Sequence, residues 1–291
     1  MSTVKDAILN GETSLGIELG STRIKAVLVD GSYKAIAVGN FDWENQLHDG
    51  IWTYPLDLVW KGLQGSYASL KEDVKAKYGV ELTKVGSIGI SAMMHGYLVF
   101  DKDGKQLVPF RTWRNTITGE ASRELTELFQ YNIPQRWSIA HLYQAMLKGE
   151  EHVPEIDFMT TLAGYIHWQL TGEKTLGVGE ASGMFPIDTA TKQFHAEMLD
   201  KFQAKVADKG YGWKIRAILP KVQNAGENAG VLTEAGAKLL VETLPHIFDG
   251  TAVYEKQPEE SPTPYAGMIT KQMGLINFGK SAEELERLVR G

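Results

Sequence analysis

The chain has 291 residues, 43% of them hydrophobic and 23% charged, and a formal net charge of −6. That is the balance of a globular chain with ample core, and its acidity argues against nucleic acid as the main partner. The absence of cysteine excludes disulfides, thiolate metal ligands and cysteine nucleophiles. The first residues, MSTVKDAILNGE, carry no apolar leader core, and no run approaches the about 18 apolar residues of a membrane span. A cytoplasmic protein with no membrane partner is expected.

In chain order, SLGIEL, IKAVLVD and AIAVGNF read as three successive strands over 14–41, joined by GSTR and by DGSYK. Asp30–Gly31 is a strong two-residue hairpin signal. The first hairpin has Glu18, Gly20, Ser21 and Thr22 at its tip. Such a tip is either an ordinary turn or an oxyanion site, because N–H groups and hydroxyls in a glycine turn bind anions. Residues 55–78 carry Leu58, Val59, Leu63, Leu70 and Val74 at helical spacing, with Pro55 at the start and Gly79 after the end. VGSIGISAM (85–93) reads as a buried strand, and GYLVFDKDGKQLVPF (96–110) as strand, turn at Asp103–Gly104, and strand. Helices are expected near 118–131, 139–149 and 157–171, and a polar, proline-rich linker at 255–264. Meander strands followed by helix and strand make an α/β domain with a mixed sheet.

LGIELGSTRIKAVLVD resembles the phosphate-contacting hairpin of the FGGY carbohydrate kinases, which belong to the actin-like ATPases. Four further stretches are similar to that family in the same order. They are IGISAMMHGYLVFDKDGKQLVPFRTWRNT with its Met94-His95-Gly96, GYIHWQLTGE, GEASGMFPIDTATKQFHAEML and AILPKVQNAGENAGVLTEAGA. The resemblance implies an actin-like (ribonuclease H-like) domain over 13–235 and a sugar-binding half of an ATP-dependent kinase. It also implies ATP and Mg²⁺ as cofactors of the complete family member, with no metal held directly by protein side chains. The substrate implied is a small ketose or polyol, and self-association is left open. Residues 236–291 instead resemble a fragment of methionyl-tRNA formyltransferase, in YAGMITKQMGLINF and SAEELERLVRG, and are expected to form a short, partly irregular tail. LTEAGAKLL fits either family, which places the switch near 231–240.

By this resemblance Glu18, Gly20, Ser21 and Thr22 surround phosphate and Mg²⁺-bound water, with Glu18 where the family usually has an aspartate. Met94, His95, Gly96, Trp113, Arg114 and Asn115 surround the sugar. His95 is either a hydrogen-bond donor to the sugar or a satisfied core histidine, and Gly96 lets a ligand approach the backbone. Trp113 is either a flat platform for a sugar ring or a core aromatic. Asn115 stands where an aspartate is common. Glu180–Gly183 is a small-residue turn near the sugar, or only a tight turn packing two helices. The Gly-Asp motif that carries the family's catalytic base has no match after 235, and Asp249 lies among formyltransferase-like neighbours. An incomplete kinase is therefore expected, with a non-catalytic sugar-binding module and, more weakly, a formyltransferase-related protein as alternatives.

Overall fold

The structure, a computed structural model, describes residues 3–241. The linker expected at 255–264 and most of the formyltransferase-like segment lie outside the described residues. After the capped helix α1 (Val4–Asn10), strands β1 (Ser14–Leu19) and β2 (Arg23–Val29) alternate exposed and buried residues. That period of two puts one face on a core. β1 and β2 pair antiparallel with Leu19 opposite Ile24, and β3 (Ala35–Asp42) continues the meander. The β2–β3 connection differs from the expected two-residue turn. Its left-handed residue is Tyr33 (φ +61°), not Gly31. Asp30 Oδ1 accepts the N–H of Ser32 at 2.8 Å and of Lys34 at 3.1 Å. The aspartate side chain thus closes a longer loop.

A small hairpin, β4 (Gln46–His48) and β5 (Ile51–Thr53), leads to α2 (Leu56–Tyr78), which ends at left-handed Gly79. This helix lies on β2 and β3 at a distance that only glycine allows. A Cβ on Gly39 would stand 2.1 Å from the Ser66 carbonyl oxygen and 2.2 Å from the Leu70 nitrogen. One on Gly62 would stand 2.3 Å from Ile24 Cδ1. Leu19, Ile24, Leu28, Leu63 and Leu70 fill the layer between helix and sheet, fully buried. β6 (Ser87–Ala92) then adds to β1 in parallel, giving the order β3-β2-β1-β6 and a mixed sheet.

In the rest of the described chain helices outweigh strands. In order come β7 (Leu98–Phe100), α3 (Gly119–Phe129), α4 (Ser138–Leu147), β8 (Phe158–Thr160), α5 (Leu162–Thr171) and β9 (Thr175–Gly177). They are followed by α6 (Val178–Ala181), α7 (Ala196–Lys205), α8 (Ile215–Ile218), β10 (Lys221–Gln223) and α9 (Glu234–Val241). Leu125, Phe129, Ile139, Leu142, Phe185 and Phe202 make a second core among these helices. Two expectations change here. The strand expected after Asp103–Gly104 is reduced to isolated bridges, Phe100 with Gln106 and Tyr97 with Arg111. The helix expected over 157–171 gives its first residues to β8, which pairs antiparallel with β7. Thr161 then caps α5 by accepting the N–H of Gly164. A short buried apolar run does not by itself distinguish strand from helix.

The last described turn is tied to α5. The N–H and hydroxyl of Thr233 both donate to the Leu170 carbonyl, at 3.0 and 3.2 Å. A Cβ on Gly236 would stand 2.1 Å from the same oxygen. Among the described residues no helix is long and apolar enough to cross a membrane.

The glycine seam under α2 sets the first prediction. Gly39→Ala forces helix and sheet apart against backbone atoms and should cost about 3 kcal/mol in urea unfolding, the upper end for overpacking. Gly89→Ala, where nothing lies within 4 Å, should leave stability within about 0.5 kcal/mol of the parent or raise it. Equal midpoints for the two variants would contradict the seam.

Candidate functional site

The tip of the first hairpin is organised from beneath. The Gly20 N–H donates to the Arg23 carbonyl at 2.9 Å and closes the turn. The Gly20 carbonyl accepts from Trp43 Nε1 at 2.7 Å, the Ser21 carbonyl from the Tyr54 hydroxyl, and the Thr22 carbonyl from the Trp43 N–H at 3.3 Å. Trp43 and Tyr54 are buried and stacked, with ring centroids 4.4 Å apart. Three consecutive carbonyls are thereby drawn inward. Ser21 and Thr22 are exposed, and their N–H groups have no hydrogen-bond partner among the described residues. A turn with its carbonyls tied back presents free N–H groups and a positive dipole to solvent. The hydroxyls and glycine were legible in the sequence; the aromatic pair that orients them was not, because it comes from separate loop segments.

A cleft of about 330 Å³ opens beside this tip. Glu18, Gly20 and Ser21 line one part of it, and Ser91, Met93, Met94 and Trp113 line another. Glu18 is its one charged lining residue. The two parts meet because β6 runs beside β1 and delivers residues 93–95 next to the hairpin tip. An isolated antiparallel bridge pairs Tyr97 with Arg111, two residues before Trp113. Met94 is 37% and Trp113 44% exposed. An exposed indole at a cleft wall offers a flat face and a free N–H.

The remaining sequence candidates occupy other surroundings. Thr22 stands at the tip outside the cleft lining. Asn115 is 2% exposed. Its Oδ1 accepts the Trp52 N–H and its Nδ2 donates to the Trp52 carbonyl, both at 2.8 Å. That amide clasps β5. The guanidinium of Arg114 lies 3.8 Å over the Trp52 ring. Gly96 has φ +101°, and a Cβ there would meet Phe110 at 2.6 Å and the Arg111 carbonyl at 2.9 Å, so protein atoms fill the space where a side chain would stand. His95, at φ +71°, is half-buried, with Nδ1 3.3 Å from the Gly183 carbonyl.

The Tyr97–Arg111 bridge rests on a polar cluster. Arg111 forms a two-bonded ion pair with Glu150, and the Tyr97 hydroxyl meets His152 Nε2 at 2.9 Å. Burial pushes His152 down to about 4 and the fully enclosed His141 down to about 3, and the Arg111 cation adds to both. Both rings are neutral near pH 7, which leaves Arg111 and Glu150 as the charged pair. On α6, burial pushes the Glu180 carboxyl up to about 7 against a hydrogen bond from Thr161, and its Oε1 is sealed without a partner.

The model of the FGGY family of carbohydrate kinases, N-terminal domain, matches residues 13–250. The chain belongs to the FGGY family. Xylulose kinase of Lactococcus lactis subsp. lactis (strain IL1403) is 23% identical over 284 residues, covering 92% of this chain and 52% of that enzyme. The ligand-bound xylulose kinase of Lactobacillus acidophilus superposes with a TM-score of 0.65 at 18% identity, over 78% of this chain and 45% of that one. The actin-like fold is thus shared, and the FGGY chain described here spans about half the length of the kinases it matches. Methionyl-tRNA formyltransferase of Agathobacter rectalis is 50% identical over 60 residues, 21% of this chain and 19% of that enzyme. The likeness to that enzyme is therefore partial.

Two predictions follow from these surroundings. Asn115→Ala leaves the Trp52 N–H unpaired and the Trp52 carbonyl with only the Thr112 N–H at 3.1 Å, and should cost about 1–3 kcal/mol, while Trp113→Ala should change stability by under about 0.5 kcal/mol; chemical denaturation separates them. For Glu180, burial holds the folded carboxyl above its ordinary value of 4.5. Its contribution is therefore fully present below about pH 4.5 and is lost as pH rises through about 7. The parent should lose stability across that window relative to Glu180→Gln, on the order of 1 kcal/mol per pH unit at most. Parallel curves would mean that Glu180 is ionised in the folded state throughout.

Proposed function

We propose that this chain forms the sugar-binding half of an ATP-dependent carbohydrate kinase acting in the cytoplasm. A ketose or polyol occupies the Met94–Trp113 part of the cleft, and phosphate with Mg²⁺ occupies the Glu18–Ser21 part, with Thr22 at the tip beside it. One observation carries the reading: a hairpin tip with two unpaired N–H groups shares a cleft with an exposed indole. Sugar recognition needs an apolar face and hydroxyl partners, and phosphoryl transfer needs donors at the phosphate. The surroundings of the tip suit the anion. Ser21 and Thr22 add hydroxyls to their N–H groups, and Glu18 adds an acceptor for metal-bound water. ATP, when bound, supplies the phosphoryl group, with Mg²⁺ neutralising its charge. The chain's own part is to hold the sugar hydroxyls.

Among the described residues lining the cleft there is no second carboxylate to take the sugar proton. That favours, as a second reading, a module that binds sugar without phosphorylating it.

Calorimetry with a panel of ketopentoses, ketohexoses and glycerol tests the reading. Binding in the millimolar range, about −4 kcal/mol, is expected, because hydrogen bonds in an open cleft compete with water. Trp113→Ala should weaken it at least about threefold while leaving the fold intact. In a coupled ADP-release assay the chain alone should turn over far below the about 1–100 s⁻¹ of working kinases. Undiminished binding by Trp113→Ala would place the sugar elsewhere, and ordinary turnover would exclude the binding-only module.

A further inference from the structure

The hydrogen bonds under the hairpin tip do not end at the aromatic pair. They continue to the segment that carries Trp113. The Ser21 carbonyl accepts from the Tyr54 hydroxyl. A phenol has one proton and a carbonyl only accepts, so that proton points at Ser21. The Asn45 amide hydrogen-bonds the same hydroxyl, and its Nδ2 donates to Thr112 Oγ1 at 3.2 Å. With the phenol's proton committed to Ser21, Asn45 has to donate to the phenol oxygen, which turns Nδ2 toward both hydroxyls. That orientation leaves Oδ1 of Asn45 sealed without a partner. A sealed, unpaired acceptor destabilises a fold, so it is the chain of donors, not its own satisfaction, that orients this amide. Burial holds the Tyr54 phenol above its ordinary range, against the Asn45 amide and the Arg114 cation, so it keeps the proton it donates. At the far end Thr112 is fully buried. Its N–H donates to the Trp52 carbonyl at 3.1 Å and its carbonyl accepts from Asn115 Nδ2 at 3.0 Å. The next residue is Trp113, on the cleft wall.

We propose that Asn45 and Thr112 are positioning residues for the anion end of the cleft, because the chain Thr112–Asn45–Tyr54–Ser21 fixes the donor tip to the segment that presents Trp113. The inference rests on the reading of the tip as the phosphate end, and neither residue touches the phosphate. The link from the chain to the anion is the peptide plane. The Ser21 carbonyl and the Thr22 N–H belong to one trans peptide, so holding the oxygen inward holds that N–H outward. If the strut is lost, this plane is free to turn and bring its oxygen to the outer face, where it repels an anion. The Gly20 carbonyl and the Ser21 N–H form the preceding plane, which Trp43 holds separately. Thr22 is therefore the donor that the strut controls. A hydrogen bond accepted by the phenol from Asn45 also strengthens the one it donates to Ser21.

The strut is read in the full chain by NMR, first without ligand and then with inorganic phosphate. Tyr54→Phe and Thr112→Val each remove one hydroxyl at nearly constant volume. The Ser21 carbonyl ¹³C resonance should move in the same direction in Tyr54→Phe, Asn45→Ala and Thr112→Val, and the Thr22 amide should move with it. Phosphate affinity, followed through the Ser21 and Thr22 amides, should fall about two- to tenfold in Thr112→Val and at least as far in Tyr54→Phe. Thr112→Ser, which keeps the hydroxyl, should restore both the carbonyl resonance and the affinity. Where Thr112→Val unfolds the buried turn, Asn45→Ala is held to the same two readouts. A folded Thr112→Val or Asn45→Ala with the parental Ser21 resonance overturns the inference, and so does a carbonyl that moves with no loss of phosphate affinity, or a Thr112→Ser no better than Thr112→Val. A parent chain that binds no phosphate overturns the reading of the tip as the anion end, and the ligand-free Ser21 resonance still decides whether the strut exists.

Discussion

Three carbonyls turned inward at the tip of the first hairpin are the constraint from which the site is built. Trp43 and Tyr54 hold the Gly20, Ser21 and Thr22 oxygens from beneath. A turn left to solvent has no reason to sort its donors from its acceptors. Here the sorting is enforced by two aromatic side chains in the core, so the outer surface of the turn carries donors only. Desolvating Trp43 and Tyr54 is stabilising in its own right, and their polar atoms have to find partners once buried. The same burial that stabilises the fold therefore polarises the tip. The cleft exists because β6 lies parallel to β1, which brings a second loop alongside.

The second wall of the cleft depends on a bridge between chain segments with little regular structure. Tyr97 and Arg111 pair as an isolated bridge, and both are buried with polar atoms satisfied by His152 and Glu150. A buried charge pair of this kind adds little net stability, because desolvation offsets its attraction. Its contribution here is register. It fixes the segment that carries Trp113 against the segment that follows Met94. Asn115 extends the same strategy, with one amide replacing a strand partner for Trp52.

The sequence carried the sheet well, because β1 and β2 bury alternate residues and α2 has a helical stripe with a proline before it and a glycine after it. It carried the family too, and residues 13–250 match that family's N-terminal domain. Less was legible where distant partners decide. Phe158–Thr160 joined a strand because Leu98–Phe100 was there to pair with. Asp30 replaced the glycine turn through side-chain hydrogen bonds that a dipeptide signal does not register. At the site, the polar residue types were visible but their roles were not. Asn115 and Gly96 are engaged by protein atoms, while Glu18, Met94 and Trp113 reach the cleft. The partners that make this distinction, Trp52, Phe110 and Gly183, lie at separations that no local pattern encodes.

The contact of Thr233 and Gly236 with the Leu170 carbonyl limits what the chain tolerates after Val231. The backbone of Gly236 rests on that carbonyl, at the end of α5. That carbonyl belongs to the last turn of a helix, where no downstream N–H is available to it, and Thr233 supplies the missing donors. The end of α5 stays sealed only while residue 233 brings a donor and residue 236 lacks a side chain. The stretch LTEAGA, Leu232 to Ala237, satisfies both demands.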